Sequence, residues 1–315
     1  MRGLWLEKGR LALRDDISEP VDAGEVRVRV IKAGICSTDT ALVNGLYPFI
    51  GVIGHEFVGI VESGPNDLNG KRVVGDINAA CGTCKFCQNG LAKHCENRTV
   101  LGISGRDGAF AEYLSLPIEN LHLVPDDVSD DAAVFTEPLA AALEILEQVD
   151  MGPGDQVLVI GPGKLGQLIA RVLHETGASL TVMGRSPEKL DRLSDLGVSK
   201  ISSDSNPIGF DIAVECTGNQ DGFAAALAAL RPKGTLILKS TYPGALSFDA
   251  TPLVVDEIKI VGSRCGPFDK ALKVMADGKI DPTGLIDARY ALADGLAAFE
   301  HHARARVLKV LLEVS

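Results

Sequence analysis

A chain of 315 residues, 46% hydrophobic and 23% charged, is long enough for about two globular domains of ~100–200 residues each. Its net charge of -11 argues against a nucleic-acid binder, which would present a basic face. Charges interrupt the opening MRGLWLEKGRLALRDD before any signal-like apolar run, and no uncharged apolar stretch reaches the ~18 residues of a membrane helix, which predicts a cytoplasmic protein with reduced thiols and no membrane partner. The longest candidate, residues 40–54, is broken by Asn44, Pro48 and several glycines.

Residues 1–135 are rich in Gly, Pro and short β-like runs. Residues 26–33, 57–62, 71–74 and 109–116 cluster or alternate β-branched residues between turn signals, which predicts a mostly β domain with irregular loops. Three potential metal donors fall in it early: Cys36 in AGICSTDT, and His55 with Glu56 in IGHEFVG. Glu137 follows in VFTEPLA. Singly these residues are ordinary, since a lone Cys is often a buried small hydrophobe. Together they offer a thiolate, an imidazole and carboxylates, a set suited to a catalytic zinc with three protein ligands and one open position. Adjacent residues on a regular strand face opposite ways. His55 and Glu56 can therefore share one metal only if the backbone at Gly54 is irregular. Cys36 and His55 are the firm candidates; Glu56 and Glu137 compete for the third place or exchange with water.

Cys81, Cys84, Cys87 and Cys95 stand in CGTCKFCQNGLAKHC with the spacing C-x2-C-x2-C-x7-C. Four thiolates this close can wrap a tetrahedral zinc, a closed site that stabilises its lobe and leaves no position for chemistry. An iron–sulfur cluster and disulfides are the chemical rivals, and a reducing compartment disfavours the latter.

From Thr136 the pattern changes. Residues 140–149 read as a helix stopped by Gly152-Pro153-Gly154. QVLVIG is a short continuous apolar strand, and residues 164–175 carry helical apolar spacing. The strand SLTVMG, a helix over 187–196, the strand DIAVEC, a helix over 222–230 and the strand GTLILKS follow. Such alternation predicts an α/β, doubly wound parallel sheet covered on both faces. Only SSDSNPIGF separates two of these strands, too little for the ~10–12 residues of a helical crossover, so a loop is expected there. In the tail, residues 268–277 and 292–301 read helical and 305–312 reads as a strand.

GPGKLG sets Gly161, Gly163 and Gly166 between a strand and a helix, the context that gives G-x-G-x-x-G its meaning. The glycines permit the turn, the approach of a pyrophosphate and close helix–strand packing, while the helix start at Lys164 and Leu165 offers unpaired N–H groups. NAD sites carry an acidic residue ~20 positions on. Here Gly184, Arg185 and Ser186 stand at the second strand's end, and a guanidinium can fork onto a 2′-phosphate, which predicts NADP(H) over NAD(H).

The motifs CSTD, GHEFVG, the four-cysteine lobe, DGAFAEYL, TEPLA, GPGKLG and ECTG occur in one order along essentially the whole chain, and in this order they resemble the zinc-containing medium-chain alcohol dehydrogenase superfamily. TEPLA looks like the polyol, sugar and threonine dehydrogenase branch. The resemblance implies a β-rich, GroES-like catalytic domain built from residues 1–137 and 267–315, with a Rossmann dinucleotide-binding domain of residues 138–266 inserted. It implies one catalytic and one structural zinc per chain, a catalytic zinc at a cleft between domains, and homodimers or homotetramers. Residue by residue, Cys36, His55 and Glu56 match the catalytic metal cluster. Glu137 stands where some members have a further cysteine ligand. Thr38 matches the residue that relays the substrate proton, and Asp39 the aspartate that orients the histidine. Cys216 and Thr217 match a strand-end segment near the cofactor. Ala41 stands where some members place a relay histidine, so the proton route must end differently. The implied activity is reversible oxidation of a polyol, sugar or secondary alcohol. The rival readings are a zinc-independent alkene or quinone reductase on the same fold, and a non-catalytic NADPH-binding redox sensor.

Overall fold

The computed structural model describes residues 1–20, 24–45, 48–65, 67–242 and 244–315. Residues 46 and 47 of the apolar run 40–54 therefore lie outside the described residues. No described helix is long and apolar enough to cross a membrane. The chain divides into two compact units, Met1–Glu137 with Phe268–Ser315, and Pro138–Pro267.

The first unit is built on a sheet whose strands run, edge to edge, Leu121–Leu123, Arg72–Gly75, Glu56–Ser63, Val26–Gly34, Lys309–Glu313 and Ile286–Ala291, with Tyr113–Leu116 also pairing to Val26–Gly34. The alternation of VRVRV explains the central strand: Val26, Val28 and Val30 are buried while Arg27 and Arg29 stay partly exposed. The last strand of the chain also joins this one. Gly34 pairs with Glu56 on one side and with Leu311 of the last strand on the other. That register brings the start of the Glu56 strand and the chain's final strand to the same end of the sheet, beside Cys36.

The second unit carries a sheet of parallel strands in the order Ser199–Ser202, Ser179–Gly184, Gln156–Ile160, Phe210–Glu215, Leu230–Leu238 and Lys259–Gly262. The chain starts in the middle, winds outward to one side, then returns to wind outward on the other. It is the doubly wound α/β arrangement expected from the apolar strands. The order reverses between Gln156–Ile160 and Phe210–Glu215, and ligands of such sheets bind in the crevice at the strands' carboxyl ends there. The crossover after Ser202 is a turn and extended loop up to Phe210, without a helix.

Several elements differ in extent from the sequence expectation. The helix at TEPLA begins at Thr136 and runs to Gln148, so Glu137 lies in its first turn. The expected helix over 187–196 is two pieces, Pro187–Asp191 and a 3-10 turn Ser194–Leu196. Of residues 109–116, only Tyr113–Leu116 form a strand. Residues 109 and 110 bond instead to the backbone beside His55, for the reason given below. The final strand starts only at Lys309.

Candidate functional site

Cys36 leaves the central strand and occupies the N-terminal cap of the helix Ser37–Val43. Its N–H donates to Asp39 Oδ2 at 2.8 Å, which ties down the first turn. Thr38 Oγ1 stands 3.7 Å from Cys36 Sγ. Asp39 is fully buried and turns Oδ1 to 3.3 Å from His55 Nδ1. The contact is electrostatic, because neither atom has an aligned hydrogen-bond partner.

Gly54 supplies the irregular backbone that His55 and Glu56 need. Its φ of +100° suits glycine, and regular pairing begins only at Glu56. A Cβ there would also lie 2.5 Å from the Phe110 ring. The DGAF segment braces this turn: Ala109 N donates to Gly54 O at 2.8 Å and Phe110 N to Ile53 O at 3.0 Å. Asp107 Oδ1 accepts from Val52 N at 2.8 Å. The outcome is that one donor atom each from Cys36, His55 and Glu56 lies within 4.8 Å of the others. Zinc, which bonds sulfur at ~2.3 Å and nitrogen or oxygen at ~2.0–2.2 Å, fits among donors so spaced.

The electrostatics of the pocket also favour a cation. Burial alone would pull the His55 pKa down. The Asp39 carboxylate and the Cys36 sulfur outweigh it and hold the imidazole well above its ordinary value. A buried imidazole facing these groups takes up either a proton or a metal, and metal binding releases the proton. Glu137 is close enough to feel this cluster but lies outside the set of converging donors. Withdrawal from water pushes its carboxyl up to about 7, with His55 opposing and Glu56 reinforcing the shift.

One residue of this pocket went unnoticed in the sequence. Lys309, the first residue of the last strand, is 5% exposed and pairs through Nζ with Glu56 Oε2. Its ammonium also lies 5.1 Å from the centre of the Phe135 ring. Gly34 makes room, since a Cβ there would fall 2.6 Å from the same Glu56 oxygen. In KVLLE the lysine reads as a strand-end solvated charge, and nothing local marks a partner 253 residues away.

The cysteine lobe is self-contained. Cys84 and Cys87 sulfurs are 3.5 Å apart, Cys84 and Cys95 3.8 Å, and Cys81 and Cys95 3.4 Å. All seven cysteines of the chain are unbridged. A disulfide would need about 2.05 Å, whereas sulfurs bound tetrahedrally at ~2.3 Å lie about 3.8 Å apart. Backbone N–H groups of Cys81 and Asn97 both donate to Cys95 Sγ at 3.3 Å. Donors from Thr83 backbone and side chain draw the Cys81 thiol down to about 5. Loss of water and the neighbouring thiols push Cys87 up to about 12. Four sulfurs gathered this closely suit a dication, which would neutralise their charge on binding.

In the second unit, Gly161 has φ of +104° and Gly163 caps the helix Lys164–His174. A Cβ on Gly166 would sit 1.9 Å from Gly161 O, so the helix can approach the turn only without a side chain there. At Gly163 a Cβ would meet nothing within 4 Å: the backbone faces open space, as approach of a pyrophosphate requires. Lys164 and Leu165 form the helix start. Cys216 Sγ points at Ile160 O (3.2 Å) and Gly161 O (3.5 Å), beneath the turn, where burial pushes its thiol up. It supports the turn from below. Thr217 approaches the turn at Gly161. Arg185, after the strand that ends at Gly184, is exposed and has no ion-pair partner among the described residues. Ser186 is already engaged: it caps the helix Pro187–Asp191 by accepting from Lys189 N at 3.3 Å and donates to Glu188 Oε2 at 3.0 Å. Glu188 thus brings a carboxylate to a corner where the sequence reading placed none.

Both units are similar to known protein families. Residues 22–126 match the family described as alcohol dehydrogenase GroES-like domain, and residues 165–277 that described as zinc-binding dehydrogenase. A sorbitol dehydrogenase of Halalkalibacterium halodurans is 28% identical, over 96% of both chains. An L-threonine 3-dehydrogenase of Streptomyces avermitilis is 31% identical, over 99% of this chain and 96% of its own. Among solved structures, the alcohol dehydrogenase of Thermus sp. ATN1 superposes over 100% of both chains with a TM-score of 0.92 and 31% identity.

Proposed function

Because the chain belongs to the zinc-containing medium-chain alcohol dehydrogenase superfamily, we propose that it oxidises a polyol, sugar or related secondary alcohol reversibly, with NADP(H) preferred to NAD(H). The observation that carries this reading is the convergence of Cys36, His55 and Glu56 donors within 4.8 Å. A zinc-independent reductase would have no use for such a buried, mixed donor set.

When bound, zinc supplies Lewis acidity toward the alcohol oxygen and the nicotinamide supplies the hydride acceptor. The chain's residues do the rest. Cys36 and His55 hold the metal. Glu56 and Glu137 would compete for the third place or exchange with water, and Glu56 is the one whose donor atom converges with those of Cys36 and His55. Asp39 sets a negative charge 3.3 Å from His55 Nδ1, on the side of the ring where partners of metal-bound histidines stand. Thr38, 3.7 Å from the Cys36 sulfur, receives the alcohol proton at Oγ1 and gives its own onward to solvent, since Ala41 offers no imidazole. The four-cysteine lobe holds a second, structural zinc. Gly161, Gly163 and Gly166 with the N–H groups of Lys164 and Leu165 cradle the pyrophosphate. Arg185 reads the 2′-phosphate with Ser186 beside it, and Thr217 stands at the Gly161 turn by the pyrophosphate.

Metal analysis together with turnover tests this directly. Zinc-replete protein is expected to hold two zinc ions per chain and to oxidise members of a polyol, sugar and secondary-alcohol panel faster with NADP+ than with NAD+. Arg185→Ala is expected to raise KM for NADP+ about tenfold or more, as loss of a charge-assisted contact would, with little change for NAD+. One zinc per chain with no alcohol turnover would instead support the zinc-independent reductase. Tight NADPH binding without any turnover would support the sensor.

A further inference from the structure

Glu215 ends the strand Phe210–Glu215 and is fully buried, yet it forms no ion pair among the described residues. Four neutral donors converge on it: Thr217 N at 2.5 Å, Thr217 Oγ1 at 2.5 Å, Gly218 N at 3.1 Å and the Tyr242 hydroxyl. Donors alone, meeting on two oxygens, are the arrangement of an ionised carboxylate. The lysine one strand over, Lys239, directs Nζ to Ala141 O at 2.6 Å, Ser263 Oγ at 3.1 Å and Arg264 O at 3.2 Å. A buried charge without a counter-ion is costly, and a neutral side chain could end this strand more cheaply. The charge itself therefore calls for an explanation.

Its position supplies one. Pyrophosphate binds at the turn after Gln156–Ile160, and the adenosine ribose lies toward the end of Ser179–Gly184, where Arg185 stands. The other half of a dinucleotide must then extend across the switch point, over the ends of Phe210–Glu215 and Leu230–Leu238. Glu215, its two donor residues Thr217 and Gly218, and Tyr242 occupy those ends. The oxidised nicotinamide ring is cationic and the reduced ring is neutral.

We propose that Glu215 is an electrostatic positioning residue whose fixed buried charge shifts the balance of binding in the crevice toward the oxidised dinucleotide and away from the reduced one. This deepens the dinucleotide reading above and rests on it. A merely structural Glu215 would, when replaced, weaken both redox forms alike. A charge acting on the ring changes only their ratio.

The test is calorimetric titration of full-length, zinc-replete protein with NADP+ and NADPH separately. The quantity read is the Kd for the reduced form divided by that for the oxidised form. Glu215→Gln is expected to lower this ratio about five- to tenfold, the scale of a unit charge acting across several ångströms of partly polar medium. Glu215→Asp keeps the charge and should hold the ratio within about twofold even if both affinities fall. Tyr242→Phe removes one donor, leaves the carboxylate less compensated and should raise the ratio about twofold. An unchanged ratio in Glu215→Gln overturns the proposal. Should that variant not fold, an unchanged ratio in Tyr242→Phe does so. If the unaltered protein bound neither redox form, the dinucleotide reading would fall as well, so the two failures are distinguishable.

Discussion

Two cysteine-containing clusters in one unit, each able to hold a metal ion, differ in how they are assembled. The lobe takes four like ligands from within fifteen residues, Cys81 to Cys95, and its sulfurs already stand 3.4–3.8 Å apart. The Cys36 pocket draws on Cys36, His55 and Glu56, with Glu137 at its margin and Lys309 from the last strand. Four thiolates close a coordination shell and stabilise a fold. A mixed set whose third ligand is contested leaves room for substrate oxygen. Local assembly suits a staple; assembly across the unit lets the sheet itself set the geometry of the converging donors.

That contrast can be broken at either site. Cys36→Ser should abolish turnover, on the order of 10³-fold or more, since Lewis-acid stabilisation is worth several kcal/mol. Zinc content should fall from two to one per chain while the melting temperature stays near that of the unaltered protein. Cys95→Ser should do the reverse. It should lose the other zinc and cost several kcal/mol of stability, because structural zinc affinity is folding free energy. Turnover well below the new transition should stay within about tenfold. If the two variants behaved alike in melting and in kinetics, the division of labour between the sites would be wrong.

Lys309→Met sharpens the comparison. It leaves the buried Glu56 carboxylate without its cation, a loss of about 3–5 kcal/mol. It should also weaken zinc at the Cys36 pocket about 10–100-fold, as loss of a group that holds a ligand does, while the lobe keeps its zinc. Lys309→Arg should restore most of both. Competition with a chelator, read as two separate release phases, checks it.

The smallest effect concerns Glu137. In metal-free protein its carboxyl is raised to about 7 from an ordinary value of 4.5. A raised folded value means that the group's stabilising contribution is complete below the unfolded value and is lost as pH climbs through the folded one. Metal-free protein should therefore lose stability between about pH 4.5 and 7 relative to Glu137→Gln, and the gap between the two melting curves should be flat above that range. His55, also raised, adds a slope of the same sign at higher pH, and because it faces Glu137 the range between about pH 4.5 and 7 is the one to read.

The sequence made the lobe and the glycine turn legible because each is a local pattern with a local physical cause. C-x2-C-x2-C-x7-C can close on one ion, and Gly166 must lack a side chain because its Cβ would strike Gly161 O. The doubly wound sheet was legible from continuous apolar strands, down to the missing helix after Ser202. The Cys36 pocket was only half visible. Its residues could be proposed, but how adjacent His55 and Glu56 face one metal depended on Gly54 and on bonds from residues 109 and 110, which the periodicity had assigned to a strand. Lys309 was invisible, and Glu215 showed only as a letter of ECTG with no role. One finds its partner 253 residues away, and the other is a strand-end glutamate that accepts from Tyr242, 27 residues on, after the next strand.

Anomalous diffraction at the zinc edge, from crystals of fully metallated protein, tests the central claim most directly. Two peaks per chain are predicted: one enclosed by Cys81, Cys84, Cys87 and Cys95, the other about 2.3 Å from Cys36 Sγ and about 2.1 Å from a His55 nitrogen. A single peak in the cysteine lobe, with Cys36 and His55 turned away from each other, would contradict it.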